Sequence, residues 1–220
     1  LAYVLRHSAV RLLVSATEFK NSDYRAMVAE VRPELPDLAE VLFLGTEDWK
    51  RFGERAALVP AAELRRRAES LTPGDAINIQ YTSGTTGAPK GATLSHRNIL
   101  NNGYFVTDLI GFGPGDRLCI PVPFYHCFGM VMGNLACSTS GATMVIPAQG
   151  FDPKATLHAV QQERCTSLYG VPTMFIAELN DPGFGDYDLS SLRTGIMAGS
   201  PCPVEGMKQV VDRMGMIEGT

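Results

Sequence analysis

Polar and apolar positions alternate through Ala76-Ile77-Asn78-Ile79-Gln80-Tyr81-Thr82, with β-branched and aromatic side chains among them, the two-residue period of a half-buried strand. A helical period governs other stretches. Tyr24, Met27, Val28 and Val31 fall at i, i+3, i+4 and i+7, an apolar stripe on one helix face, with Ser22 as the expected N-cap and Pro33 and Pro36 ending the helix. Ile99, Gly103, Val106 and Ile110 share one side of another helix that Ser95 can cap, and Met207, Val210, Val211 and Met214 mark a last one opened by Pro203. Asp152 before Pro153 is an N-cap with proline at the first helical position, and predicts a helix to about Arg164. Strands are predicted over 9–15, 40–44, 92–94, 166–171 and 193–198, a helix starts at Pro172, and a loop and a helix occupy 45–73. This alternation predicts an α/β fold: layered, mostly parallel sheets flanked by helices.

Residues 118–151 contain no Asp, Glu, Lys or Arg, yet Pro121, Pro123, Asn134, Ser138-Thr139-Ser140 and several glycines interrupt them, so no 18-residue apolar core of a membrane span remains. The segment reads instead as a buried strand, a helix and a second strand.

At 220 residues, 45% hydrophobic and 19% charged, the chain can bury a sizeable core. A net charge of −4 supplies no field for nucleic acid, and Arg65-Arg66-Arg67 is balanced by Glu63 and Glu69, as on a solvated helix face. Cys119, Cys127, Cys137, Cys165 and Cys202 form no Cys-x-x-Cys pair and join no His cluster, so they read as reduced thilos of a cytoplasmic protein with no metal site.

Directly after the strand at 76–82 the chain concentrates glycine, hydroxyl side chains and one lysine: Thr82, Ser83, Gly84, Thr85, Thr86, Gly87, Ala88, Pro89, Lys90 and Gly91. Gly84, Gly87 and Gly91 permit positive φ and close backbone approach, so that successive amides can turn toward one anion. The hydroxyls add donors, Lys90 adds a compact charge for phosphate oxygens, and Pro89 restricts the backbone before it. A Walker loop would need Gly-Lys-Ser/Thr where the chain has Pro89-Lys90-Gly91, and the match fails at two of those three places. No Gly-x-Ser-x-Gly elbow of a serine hydrolase is present.

The string Tyr81-Thr82-Ser83-Gly84-Thr85-Thr86-Gly87-Ala88-Pro89-Lys90-Gly91, followed by Ser95-His96, resembles the signature loop of the adenylate-forming, or AMP-binding, superfamily. Pro121-Val122-Pro123-Phe124-Tyr125-His126-Cys127-Phe128-Gly129 resembles the aromatic and histidine motif of its acyl-CoA synthetase branch, and the chain as a whole is most similar to the medium-chain fatty-acyl type. A third segment, Gly195-Ile196-Met197-Ala198-Gly199-Ser200-Pro201-Cys202, resembles the small-residue turn that lies against adenine and acyl chain in that family.

The resemblance implies an ATP-dependent fatty-acid CoA ligase, with ATP, Mg2+ and CoA as cofactor and co-substrates. It implies catalytic roles for His126 and Lys90, with His126 bordering the carboxylate in a setting of Phe124, Tyr125 and Phe128. Contacts to nucleotide would come from 82–90 and from Gly199, Ser200 and Pro201. The family's hinge, its catalytic lysine and its magnesium-linked glutamate have no counterpart in these residues. The chain is therefore expected to be an internal fragment, inactive in isolation, with subdomains at 1–94 and 95–220 and the carboxyl-terminal lid domain absent. Two other readings stay open: an adenylation domain for an amino or aryl acid, and a non-catalytic structural piece with a vestigial nucleotide loop. Surfaces left uncovered by truncation are expected to drive homo-oligomerisation, most simply a dimer.

Overall fold

The computed structural model describes residues 1–83 and 87–216, and the chain divides into two compact units, 1–95 and 96–220.

The first unit opens with α1 (Ala2–His7), which buries Leu5 against Leu35 and Leu38. β1 (Leu12–Ser15) pairs in parallel with β4 (Glu40–Phe43). Between them lie a short antiparallel pair, β2 (Glu18–Phe19) and β3 (Ser22–Asp23), and α2 (Tyr24–Val31). The α2 stripe is turned inward at Val28, while Met27 is 42% exposed. Its N-cap is Asp23 rather than Ser22: the Asp23 residue is extended and its carboxylate accepts the Ala26 amide at 3.0 Å, a stronger acceptor one place closer to the first turn.

The 45–73 region forms two helices rather than one, α3 (Glu47–Glu54) and α4 (Ala61–Glu69). Thr46 caps the first through the Trp49 amide, and Pro60 stands before the second. On α4 the guanidinium groups of Arg66 and Arg67 both bond Glu63, and these contacts lower its carboxyl to about 2. The arginine run is thus internally neutralised in part and solvent-facing, as the charge pattern predicts. β5 (Ala76–Thr82) and β6 (Lys90–Ser95) complete the unit as an antiparallel pair.

In the second unit α5 (His96–Leu109) turns Gly103, Thr107 and Ile110 inward. Four strands, β7 (Arg117–Cys119), β8 (Thr143–Val145), β9 (Ser167–Gly170) and β10 (Thr194–Met197), form an all-parallel sheet in the order β10-β9-β7-β8. β9 and, at the edge of the four, β10 are buried at every position, as strands of a parallel sheet covered on both faces are. The charge-free stretch threads from β7 through π-helical turns (Phe128–Leu135) and α6 (Ala136–Ser140) into β8, as strand, helix and strand. Asp152 caps α7 (Pro153–Glu163) by accepting the Ala155 amide at 2.7 Å, α8 (Pro172–Leu179) starts on its proline, and α9 (Val204–Met214) buries Val210 and Met214.

Asp116, Thr166 and Arg193 each stand one residue before β7, β9 and β10, and together they lock the amino edge of the sheet. Arg193 Nη2 lies 2.9 Å from both Asp116 oxygens, and the Thr166 hydroxyl donates to Asp116 at 2.7 Å. Burial pushes the Asp116 carboxyl up, but the Thr166 hydroxyl, the Gly113 amide and the Arg193 guanidinium outweigh it and hold it below its usual value.

Glu178 on α8 is a different case. It is 1% exposed, its Oε2 has no hydrogen-bond partner among the described residues, and burial raises its carboxyl to about 8. The folded value exceeds the unfolded one, so the folded chain keeps a proton that the unfolded chain releases. Stability from this group is complete at low pH and falls as pH rises between about 4.5 and 8, by on the order of 4 kcal/mol in all. Glu178→Gln is expected to raise the thermal midpoint at pH 8 and leave it nearly unchanged at pH 4, read by circular-dichroism melts. An equal shift at both values would contradict that account.

Candidate active site

The glycine-rich segment is the connection of a hairpin. Tyr81 pairs with Gly91 and Thr82 with Lys90, so the residues between them leave and re-enter one antiparallel ladder. Thr82, Ser83, Gly87, Ala88 and Lys90 are exposed, and Pro89 is half-buried. Gly84, Thr85 and Thr86 lie outside the described residues.

Gly87 takes φ +140°, a region that residues with a Cβ enter only at a strain. Gly91 serves a different purpose from the one its loop position suggests. It is in the ladder, and a Cβ there would stand 2.9 Å from Ile79 Cγ2 and 3.3 Å from the Tyr81 ring, so glycine lets those two side chains cross the strand. Among the described residues the hairpin thus exposes the Thr82 and Ser83 hydroxyls, the Gly87 backbone and the Lys90 ammonium on either side of its connection. That donor set fits a polyphosphate.

Two residues outside every motif, Tyr3 and His7, bond the hairpin. The Tyr3 hydroxyl donates to the Pro89 carbonyl at 3.1 Å, and His7 Nδ1 shares a 2.6 Å hydrogen bond with the Tyr81 hydroxyl. No local pattern could have revealed contacts spanning 86 and 74 residues.

The other motifs gather in the second unit. In parallel strands the carboxyl ends share one edge, and the segments leaving β7, β9 and β10 all start there. Pro121 and Val122, after β7, are buried, and the chain then rises into Phe124, Tyr125 and His126, all exposed, with Tyr125 at 84%. The His126 amide donates to the Pro123 carbonyl at 3.2 Å and the Met130 amide to the His126 carbonyl at 3.0 Å, fixing the backbone as a turn that opens the π-helical run. The Phe128 amide donates to His126 Nδ1 at 3.0 Å. An accepting Nδ1 leaves the proton of the neutral ring on Nε2, so the imidazole carries one N–H donor for an incoming anion.

Phe128 does not belong to the setting expected around His126. It is 5% exposed and stacks on Tyr169 with centroids 5.7 Å apart, because the π-helical turn swings it under the loop and into the core. Phe124 and Tyr125 remain as the exposed aromatics beside the histidine.

After β10, Gly199 adopts φ +92°, and Ser200 and Pro201 are exposed. A Cβ on Gly199 would meet Val171 Cγ1, on the segment after β9, at 3.0 Å. The structure thus brings His126 and the 199–201 turn to one edge of one sheet, whereas 82–90 belongs to the other compact unit. Among the described residues no group of three His, Cys, Asp or Glu side chains could hold a metal ion. No described helix is long and apolar enough to cross a membrane, and all five cysteines are free thiols.

The model of the AMP-binding enzyme family matches residues 1–219. The chain belongs to the AMP-binding enzyme family. It is 46% identical over 235 residues to YngI of Bacillus subtilis (strain 168), a match covering 98% of this chain and 43% of that protein. It is 40% identical over 236 residues to the mitochondrial medium-chain acyl-CoA ligase ACSF2 of Danio rerio, covering 98% of this chain and 39% of the relative. The crystal structure of the anthranilate CoA ligase AuaEII in complex with anthranoyl-AMP shares its fold, with a TM-score of 0.76 at 21% identity over 97% of this chain and 41% of that one. The chain thus spans about two-fifths of the length of these family members.

Proposed function

We propose that this chain is the part of an ATP-dependent, AMP-forming acyl-CoA ligase that grips the phosphates of ATP and borders the carboxylate substrate. The observation that carries the reading is the exposure of Thr82, Ser83 and Lys90 on either side of the hairpin connection in a chain that also lifts His126 to the carboxyl edge of a parallel sheet. In the first half-reaction a carboxylate oxygen attacks the α-phosphorus of ATP and the bond to the bridging oxygen breaks. An acyl-adenylate forms and pyrophosphate leaves. In the second, the sulfur of CoA attacks the acyl carbonyl, the bond to phosphate breaks and AMP departs.

The first half requires no strong base from these residues, since the carboxylate is already ionised at neutral pH. What it requires is position and neutralised charge. The hydroxyls and Lys90 would hold the β- and γ-phosphates, and the Nε2–H of His126 would donate to the carboxylate and steady it for attack. Gly199, Ser200 and Pro201 offer a low backbone surface on which a flat adenine ring can lie.

Medium-chain fatty acids are the proposed substrates, supported by the relatives named medium-chain acyl-CoA ligases. Those relatives are named mitochondrial, and five free thiols suit a mitochondrial matrix as well as a cytoplasm, so a reducing compartment is the form of the proposal. The full-length protein is expected to show pyrophosphate exchange into ATP that depends on added medium-chain fatty acid. Exchange driven only by amino or aryl acids would overturn the substrate, and no carboxylate-dependent exchange at all would overturn the activity.

For the 220 residues in isolation, self-association is proposed, because Leu58, Leu64, Phe105, Leu109 and Val204 are each at least 62% exposed. Light scattering should find dimers or larger at micromolar concentration. A stable monomer there would contradict it.

A further inference from the structure

Tyr3 and His7 sit one turn apart on α1, and their rings stack with centroids 5.4 Å apart at 18°. Each reaches a different end of the glycine-rich connection. Tyr3 bonds the Pro89 carbonyl, the last group before Lys90, and His7 bonds the Tyr81 hydroxyl, the last side chain but one of β5. His7 also meets the Tyr81 ring edge-on at 5.8 Å.

The helix that carries them is itself fixed. Leu5 is buried against Leu35 and Leu38, and Arg6 bonds Glu34 at 2.7 Å, so α1 is anchored to the segment that follows α2. The β5–β6 ladder ends at Thr82 and Lys90, at the base of the hairpin tip. A polar clamp from an anchored helix to both ends of that tip has an effect that its exposed hydrogen bonds, worth little in folding energy, would not suggest. It sets the spacing and direction with which the tip meets an anion.

We propose that Tyr3 and His7 are positioning residues that set Tyr81 and Pro89-Lys90, the two ends of the hairpin connection, in the geometry needed to bind the phosphates of a nucleoside triphosphate. The inference rests on the phosphate-gripping role proposed above for that hairpin. Neither side chain touches nucleotide. Tyr3 fixes the carbonyl next to Lys90 and so the direction in which the lysine leaves the backbone, and His7 fixes the end of β5 from which Thr82 and Ser83 continue.

The test uses full-length protein and titration with a fluorescent N-methylanthraniloyl-ATP. Tyr3→Phe removes only the hydroxyl, and His7→Ala removes the ring. Each is expected to weaken nucleotide binding about tenfold, the size of one lost positioning hydrogen bond, with the thermal midpoint essentially unchanged. His7→Asn, whose amide can stand where Nδ1 does, should restore binding to within about threefold of the parent, and AMP affinity should change little in any variant, because AMP lacks the β- and γ-phosphates. Unchanged ATP affinity in Tyr3→Phe and His7→Ala would overturn the inference and leave the ligase reading intact. Equal weakening of ATP and AMP accompanied by a lower thermal midpoint would also overturn it, as the mark of a merely structural contact. A parent protein that binds no nucleotide would sink both.

Discussion

Lys90→Ala should slow fatty-acid-dependent pyrophosphate exchange in the full-length protein by about 10² to 10³, the usual loss when one preorganised charge-stabilising donor is removed. Lys90 starts β6 opposite Thr82, is exposed, and follows a proline whose carbonyl is bonded by Tyr3. Its ammonium would face the pyrophosphate as negative charge builds on the leaving group. The second half-reaction involves no pyrophosphate, so thioester formation from a preformed acyl-adenylate should be far less affected. Lys90→Arg keeps the charge but replaces a compact ammonium by a planar fork, and should recover only part of the rate. Equal slowing of the two half-reactions would argue that Lys90 supports the fold or the acyl site instead.

A large loss of stability is expected from Gly129→Ala. A Cβ at Gly129 would run into the Pro123 carbonyl oxygen, and would lie 2.7 Å from the Pro123 carbonyl carbon and 2.8 Å from the Val122 carbonyl oxygen. These are backbone atoms of the loop that carries Phe124, Tyr125 and His126, and they cannot swing aside as a side chain would. Gly129 is buried within the π-helical turns, next to Phe128 in the core, so the helix cannot retreat without uncovering Phe128 and Val131. A destabilisation on the order of 3 kcal/mol follows, with the His126 turn displaced even where the chain folds. Urea unfolding of Gly129→Ala against Gly185→Ala, where a Cβ meets nothing within 4 Å, is the comparison to make. Similar stability of the two variants would contradict the close approach.

Much of this architecture can be read from the residues, and the reasons are local. The alternation at 76–82 marks β5 over the same residues, but Ile77 and Ile79 are 48% and 46% exposed, so the apolar face that the period implies is not buried. Asp152-Pro153 and Pro172 mark helix starts because the first turn has unmet amides and no use for the proline N–H. Other features depend on which atoms meet in space. Ser22 and Asp23 are both competent caps, and the extended conformation falls on the second. Phe128 carries the same aromatic signal as Phe124, but π-helical turns, whose spacing no helical stripe reveals, carry it inward to Tyr169.

The candidate site divides in the same way. Composition points to the segment of glycines, hydroxyls and one lysine, whereas His126 comes only from the resemblance of 121–129 to a family motif. The sequence does not show that the Phe128 amide occupies His126 Nδ1, that Gly91 spares the Ile79 and Tyr81 side chains a collision, or that Asp116, Thr166 and Arg193 close the opposite edge of the sheet. Each depends on partners remote in the chain or on a backbone turn with no periodic mark.

The central claim is that the 81–91 hairpin receives the outer phosphates of ATP. Adenosine diphosphopyridoxal, which carries an aldehyde where the γ-phosphate would lie, forms an imine with a lysine within reach, and borohydride reduction makes the bond permanent for peptide mapping. The account predicts modification of Lys90 in the full-length protein, suppressed by ATP and not by fatty acid alone. Labelling of other lysines with Lys90 unmodified, and protected by ATP there, would contradict it.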